Sequence, residues 1–240
     1  TRYRPQSDIE TTRDSLIVFH RALRPESVKT RLAEAIGDET AVRLYRAMLV
    51  DLARETGRRG RTPGPGGARA LWFIDDPLAG IDTAGGSYPQ IGGNLWQRMH
   101  EAMARAFAAG ARRVVLVGSD IPALERSRLR RAFVALRAHE VVVGPSADGG
   151  FYLVGCVAGA FDDSLFDAAS RAPERSGSAI LDWARLRGHA ATTLPPERDV
   201  DTATDLARVL ADPSVRASAL RREVRRAGLS FPILDGGEDA

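Results

Sequence analysis

The chain has 240 residues, 44% of them hydrophobic and 27% charged, with a formal net charge of +3. That balance excludes collagen-like, mucin-like and fully disordered chains, and suits one large α/β domain or two small ones. Its longest apolar runs, such as residues 114–117, fall far short of the ~18 residues of a membrane helix, so no membrane partner is expected.

Lys29 is the only lysine among the 34 basic residues; the rest are arginine. So lopsided a ratio reads as the composition bias of a GC-rich coding sequence, and nucleic acid is not an expected partner. Lys29 itself is either a chance survivor or kept for its compact, flexible ammonium. One cysteine, Cys156, cannot close an internal disulfide, and residues 1–8 lack the apolar stretch of a signal peptide. A cytoplasmic location is therefore the default expectation.

Residues 1–14 are polar and read as a flexible tail. A short buried strand follows at 16–19. After Pro25, Ser27 is expected to cap a helix that runs to Ala35 and stops at Gly37. Asp38 caps the next helix, which carries Val42, Leu44, Tyr45, Met48, Leu49 and Leu52 on its apolar face. Residues 58–67 form a Gly/Pro/Arg loop, 70–74 a second buried strand, and 75–93 a long Gly-rich loop. A helix spans 95–109 and closes at Gly110.

Residues 113–117 make the cleanest strand, apolar on both faces as parallel strands between helix layers are. Leu129, Ala132, Phe133 and Leu136 mark a helix, 141–143 and 151–157 two strands, and 178–187 a helix. A strand at 191–194 and a helix at 202–210 complete the alternation, which predicts a doubly wound α/β layer structure. Residues 213–240 read as a helical appendage, with a basic helix, an apolar stretch and an acidic end.

Ligands of open α/β sheets bind beyond the carboxyl ends of the strands. Three segments there carry chemistry. With Ser27 as the cap, Lys29 falls in the first helical turn and Arg31 just beyond. Cations there oppose the helix dipole unless a phosphate binds between them; the alternative is a solvated pair compensated by Glu34. Gly118-Ser119-Asp120-Ile121-Pro122 presents Asp120, a ligand type for a hard cation, although Ser119 or Asp120 could simply cap a turn. In an extended segment Asp199 and Asp201 face one side; Asp201 or Thr202 could equally cap the last helix, with Asp205 closing a capping box. Between two strands, Gly149 and Gly150 suit close approach to a ligand and Asp148 adds a carboxylate, against a plain Asp-Gly-Gly turn. The four histidines show no metal-ligand spacing, and Cys156 reads as core.

Taken in order, these motifs form a set. It comprises Val28-Lys-Thr-Arg-Leu32; Gln90 with Gly93-Asn-Leu95 and Arg98-Met99; Gly118 to Pro122; Gly144-Pro with Asp148-Gly-Gly-Phe-Tyr-Leu-Val-Gly155; and Asp199-Val-Asp-Thr202. The set resembles the DUF2064 family, within the GT-A-fold nucleotide-diphospho-sugar transferases, some of them labelled as arsenosugar-biosynthesis glycosyltransferases. The resemblance runs from about Leu16 to Leu210. It implies a three-layer Rossmann-like GT-A fold over 15–212, with a mostly parallel mixed sheet flanked by helices, and a Mg²⁺ or Mn²⁺ cofactor. It also implies metal ligands at Asp120, Asp201 and Asp199, and phosphate contacts from Lys29 and Arg31. Arg21, Gln90, Gly92, Gly93, Ser119 and Asp120 would border the nucleotide, and Lys29, Arg31, Asp120 and Asp148 would be catalytic.

The chain departs from the family's pattern in three places, one of them near Ser176-Gly-Ser178, where the family has Trp-Ser/Thr-Thr. Leu23-Arg-Pro-Glu26 stands where the family has Pro-x-Pro-Gly. Gly93-Asn-Leu-Trp-Gln-Arg-Met99 stands where it has Gly-Asp-Leu-Gly-Glu-Arg-Met, which puts Trp96 at a glycine position. The expected function is metal-dependent transfer from a nucleotide-activated substrate, foremost glycosyl transfer from a nucleotide sugar to a small acceptor. Nucleotidyl transfer from a nucleoside triphosphate is the alternative, and a catalytically weakened binding module the second. A homodimer is left open.

Overall fold

Strand 113–117 needs a neighbour on each edge and a helix layer on each face, and the fold supplies all four. The computed structural model describes residues 9–25, 27–57, 64–76 and 87–231. In chain order these form β1 (Asp14–His20), α1 (Thr30–Ile36), α2 (Asp38–Thr56), β2 (Arg69–Ile74), β3 (Ser87–Pro89), α3 (Leu95–Ala108), β4 (Arg113–Val117) and α4 (Arg126–Ala135). Then come β5 (Val141–Pro145), β6 (Phe151–Val157), α5 (Ser164–Arg171), α6 (Ser176–Leu186), β7 (Ala191–Thr193), α7 (Ala203–Ala211) and α8 (Ser218–Arg226). The sheet has seven strands in the order β3-β2-β1-β4-β6-β5-β7. β6 is antiparallel to both neighbours, and the other pairings are parallel. This is the mostly parallel mixed sheet expected from the resemblance.

Alternation along the strands feeds two cores. Leu16, Val18, Val115, Val117 and Val142 face the layer of α1, α2, α4, α7 and α8. Ile17, Phe19, Val114, Leu116, Val141 and Val143 face α3, α5 and α6. Leu16, Ile17, Val114 and Val115 have no exposed surface, and burial of each such side chain contributes roughly 1.5–3 kcal/mol. Cys156 lies in the second core, where burial pushes its thiol pKa up.

Several expectations are corrected. The long loop at 75–93 contains β3, an edge strand; residues 77–86 lie outside the described residues. α5 falls where no helix was expected; Asp162 accepts from the Ser164 backbone N–H at its start. Of the presumed tail, residues 9–13 are docked: Ile9 packs on the second core, Glu10 pairs with Arg69, and Thr11 Oγ1 donates to the Ala109 carbonyl. At the other end α8 is tied to α2. Buried Asp51 accepts the free N–H groups of Ala219 and Leu220 at 2.9 Å, and Leu220 and Val224 enter the first core. The acidic end, 232–240, lies outside the described residues.

The strand order reverses between β1 and β4, since β1 continues toward β2 on one side and β4 toward β5 on the other. Such a switch point opens a crevice at the carboxyl ends of the two strands.

Candidate functional site

The segments leaving β1 and β4 flank that crevice, and the segment before α7 joins them. The backbone N–H of Val200 donates to the Asp120 carbonyl at 2.9 Å, which fixes one carboxylate-bearing loop against the other. Lys29 Nζ lies 2.8 Å from Asp120 Oδ1 and 3.0 Å from Asp201 Oδ1, and Arg31 donates to the other oxygen of Asp201. The Lys29 side chain is 4% exposed, against 28% for Asp201, 46% for Asp120 and 65% for Arg31. One buried ammonium is thus shared by two carboxylates that still face solvent.

Ser27 does not cap α1; its hydroxyl donates to the Arg24 carbonyl. Lys29, not the first turn, is the N-cap position, at φ 53°, ψ 43°. A lysine in the left-handed region costs about 1–2 kcal/mol, and its two ion pairs hold it there. α1 has only seven residues and no acid in its first turn. The charges of Lys29 and Arg31 are therefore answered by Asp120 and Asp201, not by a helix dipole or by Glu34.

A cavity of about 190 Å³ opens over this cluster, lined by Arg21, Lys29, Arg31, Tyr45, Asp120 and Asp201 among others. Arg21 reaches the Ser27 carbonyl at 3.0 Å. Tyr45 is a functional-site neighbour that helix periodicity hid among core positions. Its hydroxyl accepts from the Arg21 backbone N–H at 3.0 Å and meets Ser119 Oγ at 2.8 Å, so it ties the β1 loop to the β4 loop. Burial, then Asp120, pushes its pKa up, which keeps the phenol protonated. The one signal in the sequence was a polar tip on an apolar helix face.

Asp199 and Asp201 do face one side, yet their surroundings push their acidities in opposite directions. Burial, then Asp201 and Asp148, pushes Asp199 up to about 6. Burial would also raise Asp201, but Lys29 and Arg31, with a hydrogen bond from Asp199, hold it below the usual carboxylate range. Capping of α7 falls to Thr202 and Asp205, in a complete capping box, which leaves Asp201 free for the cluster. Glu26 lies outside the described residues.

The remaining expected residues are further away in role. Gln90 Nε2 donates to the His20 and Phe73 carbonyls and pins β1 to β2. Gly93 N–H donates to Gln97, and Gly92 O accepts from Arg98, so this loop is braced by its own side chains. Asp148 Oδ1 accepts the Gly150 N–H at 3.0 Å, the plain turn. Gly149, at φ 91°, is required by the chain itself: a Cβ there would sit 2.2 Å from the Glu174 carbonyl oxygen. Asp148 and Asp199 line a second cavity, of about 290 Å³, that shares Asp120 with the first. A larger hollow of about 440 Å³ between the 196–198 segment and α7 contains none of the expected site residues.

Among the described residues no group of three or more His, Cys, Asp or Glu is placed to hold a metal ion. Asp120 and Asp201 nonetheless converge on a single cation, the Lys29 ammonium, and supply hard oxygen donors. Two carboxylates completed by substrate phosphates is an arrangement Mg²⁺ accepts, so the residues fit that cofactor as an open site.

Fold and crevice together define an α/β protein with a Rossmann-like, mostly parallel mixed sheet. Residues 73–170 match the model of DUF2064, described as "Uncharacterized protein conserved in bacteria", so the resemblance drawn from the motifs is borne out over that segment. Lys29, Asp199 and Asp201 lie outside it. The chain is similar to the crystal structure of a "putative nucleotide-diphospho-sugar transferase" from Desulfovibrio desulfuricans G20. The identity is 29% with a TM-score of 0.75, over 90% of this chain and 96% of the other. A cytidylyltransferase from Leptospira borgpetersenii shares the fold alone, at 16% identity and a TM-score of 0.50, over 90% of this chain and 95% of that one. No curated protein matches. No helix among the described residues is long and apolar enough to cross a membrane.

Proposed function

We propose that the protein is a divalent-metal-dependent transferase, and that it moves a glycosyl group from a nucleotide sugar to a small acceptor. The observation that carries this reading is the shared ammonium: Lys29 between Asp120 and Asp201, with Arg31 and Arg21 beside it, at the mouth of a cavity on the switch point. The likeness to the Desulfovibrio protein supports the nucleotide-sugar class.

In this reading the diphosphate of the donor occupies the first cavity. Asp120 and Asp201 would hold a Mg²⁺ or Mn²⁺ ion, which when bound neutralises the diphosphate as a Lewis acid. Lys29 exchanges its carboxylate partners for phosphate oxygens, and Arg31 and Arg21 add fixed charge. The bond between the anomeric carbon and the diphosphate oxygen breaks with its electron pair left on the diphosphate. Preorganised cations stabilise that growing charge and lower the barrier. The acceptor oxygen bonds to the anomeric carbon, and Asp148 is assigned its proton.

The test is a thermal-shift panel of nucleoside triphosphates and nucleotide sugars with Mn²⁺, followed by product analysis of the stabilising compound. A nucleotide sugar that stabilises the protein and yields free nucleoside diphosphate agrees with glycosyl transfer. Pyrophosphate released from a triphosphate would replace it with nucleotidyl transfer. No nucleotide binding, with salt-sensitive polyanion binding instead, would reduce the protein to a binding module.

A further inference from the structure

The two cavities meet at Asp120 but differ in charge. The first is lined by Arg21, Lys29 and Arg31. The second has no basic residue in its lining, and its carboxylates are Asp120, Asp148 and Asp199. Its opposite wall is apolar: Leu95, Trp96 and Met99 from the first turns of α3, and Phe151 from β6. The Trp96 and Phe151 rings lie 6.2 Å apart at 44°, and Leu95 is largely exposed. A volume of about 290 Å³ stands at the small end of ligand pockets.

Resting on the glycosyl-transfer reading, we propose that the second cavity receives the acceptor, and that this acceptor is a small molecule with an apolar face and an uncharged or cationic polar group. An aromatic wall gains from covering an apolar face, and from a cation lying over its rings. Asp120 is already answered by Lys29, but Asp148 and Asp199, with no basic residue in the lining, repel an anion placed beside them. A phosphorylated acceptor therefore meets repulsion here, whereas a neutral hydroxyl or an amine does not. Selectivity comes from this repulsion as much as from the attractive wall.

The experiment uses the full chain labelled with ¹⁵N, without nucleotide or metal. Its three tryptophans give three indole N–H signals, and the signal missing from Trp96→Phe is that of Trp96. The probes are benzyl alcohol, benzylamine and benzyl phosphate, which share one apolar face and differ in charge. Saturable shifts of the Trp96 signal are expected with the alcohol and the amine at millimolar concentrations, with at least tenfold weaker binding of the phosphate. Asp148→Asn should narrow the gap between amine and phosphate several-fold, and cooperative melting of both variants serves as the fold control. Benzyl phosphate shifting Trp96 as strongly as benzylamine, or no probe shifting Trp96, overturns the proposal. Because no nucleotide is present, neither outcome bears on the first cavity, and failure of nucleotide binding leaves this result standing.

Discussion

The two ends of β1 hold charge in opposite ways. At its start, Asp14 and Arg113 form a one-to-one bidentate pair, at 2.6 and 3.0 Å, with both side chains largely buried. Past its end, one ammonium serves two carboxylates, one of which also takes Arg31, and all but the ammonium face an open cavity. A matched, closed pair satisfies its charges internally and has no surplus for a ligand. A shared cation leaves acceptors and donors that can change partners without unfolding anything. Stoichiometry and exposure, rather than the number of charges, separate the closed end of the strand from the candidate site at the other.

The sharpest way to break this comparison is at the closed end. Arg113→Ala leaves Asp14 buried and unpaired, and should cost about 3 kcal/mol of stability with no change in nucleotide affinity. Chemical denaturation alongside a binding titration checks both halves. A loss of affinity without loss of stability would show that the two ends are not separable in this way.

His20 gives the next effect. It ends β1 buried against Trp72, with Nε2 unpartnered, and burial lowers its pKa to about 4. The unfolded chain takes up the proton near pH 6.5, before the folded one does, so stability falls as the pH drops from about 6.5 to 4. The loss reaches up to about 3 kcal/mol. Denaturation midpoints of wild type and His20→Phe across that window should diverge from those near neutrality, with the variant's acid limb the flatter. Parallel acid limbs would mean that His20 is not buried neutral.

A smaller effect separates capping from ligation. Thr202→Ala removes the N-cap of α7 and should cost about 1 kcal/mol, while Mn²⁺-dependent nucleotide affinity stays put because Asp201 is not the cap. A matching loss of affinity in a titration would return Asp201 to a purely structural role.

Much of this was legible in the chain. Strands 113–117 and 151–157 carry uninterrupted apolar runs, so their burial on both faces was readable and the α/β class with it. β3 was not, because three residues at a sheet edge inside a Gly-rich stretch have no room for a period. α5 was missed because Leu165, Phe166 and Ala169 span barely two turns. For the site, residue types and spacing were enough to select Lys29, Arg31, Asp120 and Asp201, but not their relation. The left-handed backbone at Lys29 and its shared ion pairs arise from contacts about 90 and 170 residues apart in sequence, which no local pattern records. Trp96 stood out in the sequence only as a departure from a motif, and acquires a role once Phe151 and the carboxylates are placed around it.

The most direct test is calorimetric titration of ADP, CDP, GDP and UDP into wild type and Lys29→Met, with Mn²⁺ and with EDTA. Wild type is expected to bind at least one of the four, more than tenfold more weakly in EDTA. Lys29→Met should lose about 1.5–3 kcal/mol of that binding, roughly ten- to a hundredfold, while remaining folded. The variant should bind Mn²⁺ alone more tightly than wild type, since Asp120 and Asp201 no longer hold an ammonium. Equal nucleotide affinity in the two proteins, or affinity indifferent to EDTA, would contradict the account.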